Sequence, residues 1–459
     1  MRPLGCIVLA AGEGLRMKSD IPKPLHIIGG RSLLDHVLTT LLELQPRQLT
    51  VVVGVGRRQV SAAIPTDKVQ IAVQESQCGT GHAADCAREL YEGFDGDVLI
   101  TCADIPLVRV ETLQRLISEH RRLEATATML TTIMPDASGY GRVVRDDDGL
   151  VRQVVEHKDA DDTTRSIKEI NTGIFCFRAR DLFNALAHLE NDNLQGEYYL
   201  PDTLAYLRQQ GLRVAAVVAA DHDEVMGINN RVQLATAEKI CRDRTRQRLM
   251  LAGVTMVDPA TTYVDDGVTI GPDTIIQPGA QITGESSVGS GCEIGGNVLI
   301  RNATVGDGCL LRHCSSVVDS RVEDEVQLGP FANIRGNSLI KSRAVIGQAE
   351  VNRSEVGEGS KAIHFSYLGD TVCGAGVNIG AGTITCNYDG KQHNHTVIED
   401  GAFIGSDTIL VAPVKVGRGA YIAAGSVITS DVPAGSLGVA RARQQIIADW
   451  VKRTGRQPD

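Results

Sequence analysis

Beyond Gly253 an aliphatic residue returns every six positions, at Val264, Ile270, Ile276, Ile282, Val288, Ile294 and Ile300, and after several shifted turns at Ile398, Ile404, Leu410, Val416, Ile422 and Ile428. An α-helix repeats every 3.6 residues and a half-buried strand every two, so neither keeps these side chains on one face. A parallel β-helix does. Each six residues form one flat face, the aliphatic side chain points to the axis, and a small residue or glycine beside it permits the corner. The spacing predicts a left-handed parallel β-helix of hexapeptide repeats over residues 253–459.

The first half of the chain has a different texture. Buried-strand runs at 6–9, 50–55, 69–73, 97–101, 126–133, 151–156, 170–177 and 213–218 alternate with helical stretches such as 32–44 and 110–122. That alternation predicts a Rossmann-like α/β domain over 1–230, with a mostly parallel sheet and ligands at the carboxyl ends of its strands. Residues 231–252 form the connection, as one helix of about 20 residues free of proline and of glycine. Its Arg242, Arg244, Arg246 and Arg248 are interleaved with Glu238 and Asp243, which suits a solvated face better than a nucleic-acid surface.

The opening strand runs into Leu9-Ala10-Ala11-Gly12-Glu13-Gly14-Leu15-Arg16-Met17, followed by Pro22-Lys23. A turn of this kind brings backbone N–H groups close to an anion, and the N-terminus of a following helix adds its dipole. A glycine-rich turn also serves simple packing. Arg16 and Lys23 within a dozen residues of it are what a triphosphate needs and a packing turn does not. The spacing fits neither the Walker loop nor the dinucleotide fingerprint. It resembles the L-x-x-G-x-G-[ST]-R-M…P-K signature of sugar-1-phosphate nucleotidyltransferases, with Leu15 in place of the usual small residue.

At 459 residues and 42% hydrophobic content the chain fills two domains, and its net charge of −10 with dispersed Lys and Arg speaks against nucleic-acid or membrane-surface binding. No run of 18 apolar residues and no basic leader with a cleavage site is visible, so no membrane insertion is expected and a cytoplasmic location is. Eleven cysteines without a CxxC pair, among them Cys102 and Cys176 in apolar runs, read as small buried hydrophobes in a reducing compartment. Cys309 and Cys314 lack partners for a zinc site, and His393-x-His395 lacks a third ligand.

Further segments carry a resemblance over nearly the whole chain. They are 74–83 (QESQCGTGHA), 102–107 (CADIPL), 139–142 (GYGR), 155–159 (VEHKD), 169–173 (EINTG), 227–231 (GINNR), 360–370 (SKAIHFSYLGD) and 377–390 (VNIGAGTITCNYDG). Together they resemble the bifunctional N-acetylglucosamine-1-phosphate uridylyltransferase/glucosamine-1-phosphate N-acetyltransferase family. The resemblance implies acetyl transfer from acetyl-CoA to glucosamine 1-phosphate, then uridylyl transfer from UTP with release of pyrophosphate, in a homotrimer. It places the phosphates against Leu9, Ala10, Ala11, Gly12, Arg16 and Lys23. Gln74, Gly79 and Thr80 would read the uracil, with Gly79 leaving room for a flat base. Gly141, Glu156 and Asn171 would hold the sugar, and Asp104 with Asn229 would hold Mg²⁺. On local sequence alone Asp104 can equally cap the turn before Pro106, Asn229 can cap the connecting helix, and Glu156 can be a surface charge beside Lys158. Pro201 stands where the family has Thr, removing a hydroxyl near the sugar.

For the acetyltransferase half, the resemblance makes His364 the base and Tyr367, Asn378, Asn387 and Tyr388 the amino-sugar pocket. Ala381, Ser406, Ala424 and Arg441 would contact acetyl-CoA, with Arg441 alternatively an ordinary charge on a C-terminal helix ending at Trp450. Arg335 matches the phosphate-binding arginine, although Gly336 replaces the following Pro. Two family lysines are absent: Asn352 stands in the next coil and His393 after Asn387-Tyr388-Asp389-Gly390. Arg353 and protonated His393 offer compensation, but strand alternation sends a neighbouring residue to the opposite face. Charge-assisted phosphate contacts are worth about 1.5–3 kcal/mol each, so losing two weakens acceptor binding by about a hundredfold or more. The alternatives are uridylyl transfer alone, with the coil a trimerisation scaffold or acting on a different amine, and a non-catalytic sugar-nucleotide-binding subunit.

Overall fold

The computed structural model describes residues 2–456. They form two compact units, Met1–Cys241 and Arg242–Asp459, and the helix Arg231–Leu251 contributes residues to both.

Unit 1 is built on a nine-stranded sheet. Its strands are β1 (Leu4–Ala10), β2 (Gln48–Val53), β3 (Gln70–Val73), β4 (Asp97–Cys102), β5 (Ala127–Ile133), β6 (Arg142–Arg145), β7 (Val151–Val155), β8 (Glu169–Arg178) and β9 (Val214–Val218). The order is β9-β5-β8-β4-β1-β2-β3, with the β6–β7 hairpin attached to β8. All neighbours on the main path are parallel except β8, which runs antiparallel to β4 and β5. In β1, Cys6 and Val8 enter one core layer while Ile7 and Leu9 enter the other. Helices cover both faces, which is why the strand reads as an unbroken apolar run. The short strand β6 carries little apolar signal and was absent from the sequence pattern.

Unit 2 is a three-sided coil whose faces are parallel sheets of 11, 10 and 9 strands. All thirteen residues of the six-residue period are buried on its axis. Ile282 pairs with Ile300 in a coil of eighteen residues, and Ile300 pairs with Val317 in one of seventeen. That missing residue per coil is why the period slips after Ile300. Thr385 pairs with Leu410, so this coil carries an excursion between its strands. The excursion is braced by Asp389, whose carboxylate accepts from the backbone N–H groups of Lys391 and Gln392 at 2.8 and 2.9 Å.

The helix expected to end at Trp450 instead begins there and spans only Trp450–Arg453. Asp449 is left-handed (φ 57) and interrupts the backbone, while Ile446 and Ile447 are exposed, so no apolar face holds a longer helix.

Candidate active site

The carboxyl ends of β1 and β4 open on a cleft of ≈ 440 Å³, lined by Leu9 to Gly12, Lys23, Gln74, Gly79, Thr80 and Asp104. Leu9, Ala10 and Ala11 are buried and join the two core layers while lining the floor of the cleft. The helix expected after this loop is absent. Leu15–Met17 is a single 3₁₀ turn held between left-handed Gly14 (φ 63) and Lys18 (φ 48), so it supplies no macrodipole. Fixed side-chain charge takes its place.

That charge converges on two oxygens. Lys23 Nζ forms a short ion pair with Asp104 and donates to Asn229 Oδ1 at 2.8 Å, and Arg16 Nη2 donates to the same Asn229 oxygen at 2.8 Å. Asp104 follows β4 directly, and its backbone carbonyl accepts from Ile228 N at 2.9 Å, tying the 227–231 segment to the strand end. The connecting helix is capped by Asn230, whose Oδ1 accepts from Gln233 N at 2.9 Å. Asn229 is therefore free of the capping role.

Gln74 is buried, and its Nε2 faces Gly79 O at 3.1 Å and His82 Nδ1 at 3.0 Å. Gly79 lines the cleft and has a packing reason of its own to be glycine. A Cβ there would lie 2.5 Å from Tyr198 O, and its φ of +102 is one that other residues rarely adopt. Glycine is needed for chain packing at that point. Thr80 Oγ1 accepts from Leu200 N at 3.0 Å, bracing the same junction.

Of the expected sugar contacts, Glu156 shares a cleft with Arg16. A second cleft of ≈ 380 Å³ is lined by Arg16, Gly139, Glu156, His157, Lys158 and Gln195. Lys158 donates to Gln195 at 2.5 Å rather than pairing with Glu156. Burial first, then Asp202, Asp159 and Glu197, push the Glu156 carboxyl above the usual range. Burial and Asp159 raise Asp202 to about 6. A Cβ on Gly141 would sit 3.0 Å from Glu156 Oε1, so glycine there lets the carboxylate approach the backbone. Asn171 N donates to Gly141 O at 2.9 Å, and its side-chain oxygen accepts from Gly173 N at 2.9 Å within a bulge of β8. Pro201 caps the helix Asp202–Gln209, a turn its fixed φ suits.

Sequence reasoning missed Gln77, Cys102, Ala103 and Glu197 as lining of the first cleft. Cys102 and Ala103 could have been inferred from their place beside Asp104 at a strand end. Glu197 arrives from a distant segment and left no local signal.

In unit 2, His364 is exposed just before the strand Ser366–Gly369. The space over Gly369 is occupied by Tyr367 Oη and Asn387 Nδ2, which brings those two pocket residues together. Asn378 lies half-buried on the strand Asn378–Ile379, in a different sheet of the coil. Tyr388 is exposed, and its ring centroid is 5.0 Å from that of His393. Ala381, Ser406 and Ala424 stack on successive coils: Asp407 N donates to Ala381 O at 2.6 Å and Gly425 N to Ser406 O at 2.8 Å. Arg441 lies in an exposed, irregular segment.

Arg335 pairs with Glu350 at 2.6 Å. Asn352 is buried at 3% exposure and its Oδ1 has no hydrogen-bond partner. The expectation for Arg353 is overturned. The strand Ala349–Asn352 ends before it, and Arg353 occupies a left-handed corner (φ 50) where two-residue alternation no longer applies. Its guanidinium grips Asp370 at 2.7 and 2.8 Å, with Nη2 3.3 Å from His393 Nδ1.

Fold and sites together define a two-unit transferase, a nucleotidyltransferase followed by a hexapeptide-repeat β-helix. Residues 6–197 match the MobA-like NTP transferase domain, and residues 267–302 and 395–430 match the bacterial transferase hexapeptide. The chain is 47% identical over 448 residues to the bifunctional protein GlmU of Geobacillus sp. (strain WCH70), covering 97% of each chain. It is 48% identical over 460 residues to the bifunctional protein GlmU of Streptomyces avermitilis, covering 99% of this chain and 95% of that one. The chain belongs to the GlmU family of bifunctional proteins.

Proposed function

We propose that the chain makes UDP-N-acetylglucosamine in two steps. Unit 2 transfers acetyl from acetyl-CoA to the amine of glucosamine 1-phosphate, and unit 1 transfers uridylyl from UTP to the resulting N-acetylglucosamine 1-phosphate. The observation that carries the reading is the convergence of Lys23, Arg16, Asp104 and Asn229 at the strand ends. A half-buried ion pair of that kind has no packing purpose at the mouth of a cleft.

Asp104 and Asn229 present two hard oxygens to one ammonium, so the same donors suit Mg²⁺, and they are the residues that would hold it. A bound Mg²⁺ would supply charge neutralisation on the polyphosphate. Lys23 and Arg16 present their donors to the phosphate oxygens. The sugar phosphate attacks the α-phosphorus in line and pyrophosphate leaves. Glu156, with Asn171 and the backbone at Gly141, orients the sugar; no protein nucleophile is needed. In unit 2, His364 takes the proton of the amine as it attacks the thioester, beside Tyr367, Asn378, Asn387 and Tyr388, with the Ala381, Ser406 and Ala424 column and Arg441 along acetyl-CoA. Both steps take place in the cytoplasm, in a homotrimer of the coil.

A second reading, uridylyl transfer alone, is favoured by Asn352 and by the pairing of both nearby arginines with carboxylates. Thiol release with glucosamine 1-phosphate, measured beside pyrophosphate release with N-acetylglucosamine 1-phosphate, separates the two. Silence in the first assay alone selects the second reading, and silence in both removes the enzyme reading altogether.

A further inference from the structure

The segment that carries Arg16 and Lys23 is held by the first turns of the connecting helix. Arg231, the first residue of that helix, donates from Nε to Met17 O at 3.2 Å and from Nη1 to His26 Nδ1 at 3.2 Å. Those two acceptors flank Lys23. Met17 directly follows Arg16, and His26 N closes a turn on Lys23 O at 3.3 Å. Further along, Glu238 accepts from Gly29 N at 2.7 Å. The same helix also holds Asn229, which stands two residues before Arg231 and donates from its backbone N–H to Gln233 Oε1 at 2.7 Å. One guanidinium fork thereby ties the loop that supplies the cations to the segment that supplies the oxygen they share.

Helix stability does not account for this arginine. A cation at the first helical position opposes the macrodipole, the first turn has no acidic residue to offset it, and Asn230 already supplies the cap. Apolar packing does not account for it either. Arg231 is exposed, and the contacts that seat the helix against Ile28 and Leu107 come from Leu234, Ala237, Ile240 and Cys241. Its hydrogen bonds are matched in sense, because a guanidinium only donates and Met17 O only accepts. Burial first, and Arg231 next, push His26 below the ordinary imidazole range, so Nδ1 keeps the lone pair that the contact needs. The turn Leu15–Met17 is three residues long between left-handed Gly14 and Lys18, so its direction depends on anchors outside it.

We propose that Arg231 is a positioning residue for uridylyl transfer: its fork holds residues 17–26 where Arg16 and Lys23 meet the oxygens of Asp104 and Asn229. The inference rests on the reading of unit 1 as a uridylyltransferase and gives Arg231 a task that touches neither substrate nor metal. Cations aimed at charge that develops in the transition state act on kcat, and a displacement of about 1 Å at such a group costs about a hundredfold.

The test is steady-state pyrophosphate release from UTP and N-acetylglucosamine 1-phosphate with Mg²⁺, in the full chain. Arg231→Ala lowers kcat about tenfold to a hundredfold while KM for UTP changes less than about threefold, the pattern of an interaction realised in the transition state. Arg231→Lys, whose ammonium donates without a planar fork, recovers part of that loss. Free guanidinium, at a concentration that leaves the native rate unchanged, restores part of kcat to Arg231→Ala. Thermal unfolding of both variants matches the native chain, as expected for an exposed side chain. A kcat within about threefold of the native value, or a loss confined to KM, overturns the positioning role while leaving uridylyl transfer standing. So does a fall in kcat that comes with a lowered unfolding temperature and that guanidinium does not restore, which marks a merely structural residue. Absence of pyrophosphate release in the native chain removes the uridylyltransferase reading and the proposal with it.

Discussion

The two units handle charge in opposite ways. At the mouth of the α/β sheet, Lys23 pairs with Asp104 while Arg16 rests only on the amide oxygen of Asn229 that Lys23 shares. On the rim of the coil, Arg335 and Arg353 each face a carboxylate of their own. The contrast follows the chemistry. Expelling pyrophosphate builds anionic charge that fixed cations must meet, whereas acylating an amine needs a base and an aligned thioester.

The largest expected effect is on the first of these sites. Asp104→Ala or Lys23→Ala should cut pyrophosphate release by about a hundredfold to a thousandfold and leave thiol release unchanged. A loss under about tenfold would erase the contrast by removing those residues from the site. Next, His364→Ala should lower thiol release about a hundredfold while pyrophosphate release holds, measured on the same preparation. An equal fall in both assays would mean that the units are not separate in function.

Smaller effects sharpen the comparison in stability. Gly79→Ala should cost unit 1 about 2 kcal/mol, read by thermal unfolding, because the left-handed backbone and the Tyr198 carbonyl leave no room for a methyl group. Smallest is the response to acid. Burial opposes ionisation of Asp97, but His120, Arg121 and Arg2 overcome it and hold the carboxyl down at about 2. A depressed carboxyl stabilises the fold above the ordinary value near 4, and that contribution is lost as pH falls toward 2. Asp370 in unit 2 is held down to about 2 in the same way, first by Arg353, so hydrogen exchange should show both units loosening as pH falls from about 4 to about 2; a unit 2 indifferent to acid over that interval would contradict this.

The coil was the most legible part of the molecule, since its thirteen six-spaced positions are all axial and its slip in period marks real coils of seventeen. The strands of unit 1 were legible to within a residue or two, apart from β6. The turn after β1 was misread because a glycine-rich loop and a helix start look alike locally, and the left-handed Lys18 is invisible in sequence. The crowding at Gly79 comes from Tyr198, more than a hundred residues away, and no local pattern shows it.

The sequence by itself determined the period of the coil, the apolar strands and the residue types able to meet a polyphosphate. These are encoded in spacing, because an element's own geometry decides which positions share a face. Only the tertiary structure decided that Arg16 and Lys23 meet Asp104 and Asn229, that Asn230 rather than Asn229 caps the helix, and that Arg353 turns toward His393. Such meetings depend on which strand ends lie side by side and where a corner rotates a side chain. A local pattern fixes a side chain's face but not its distant neighbour.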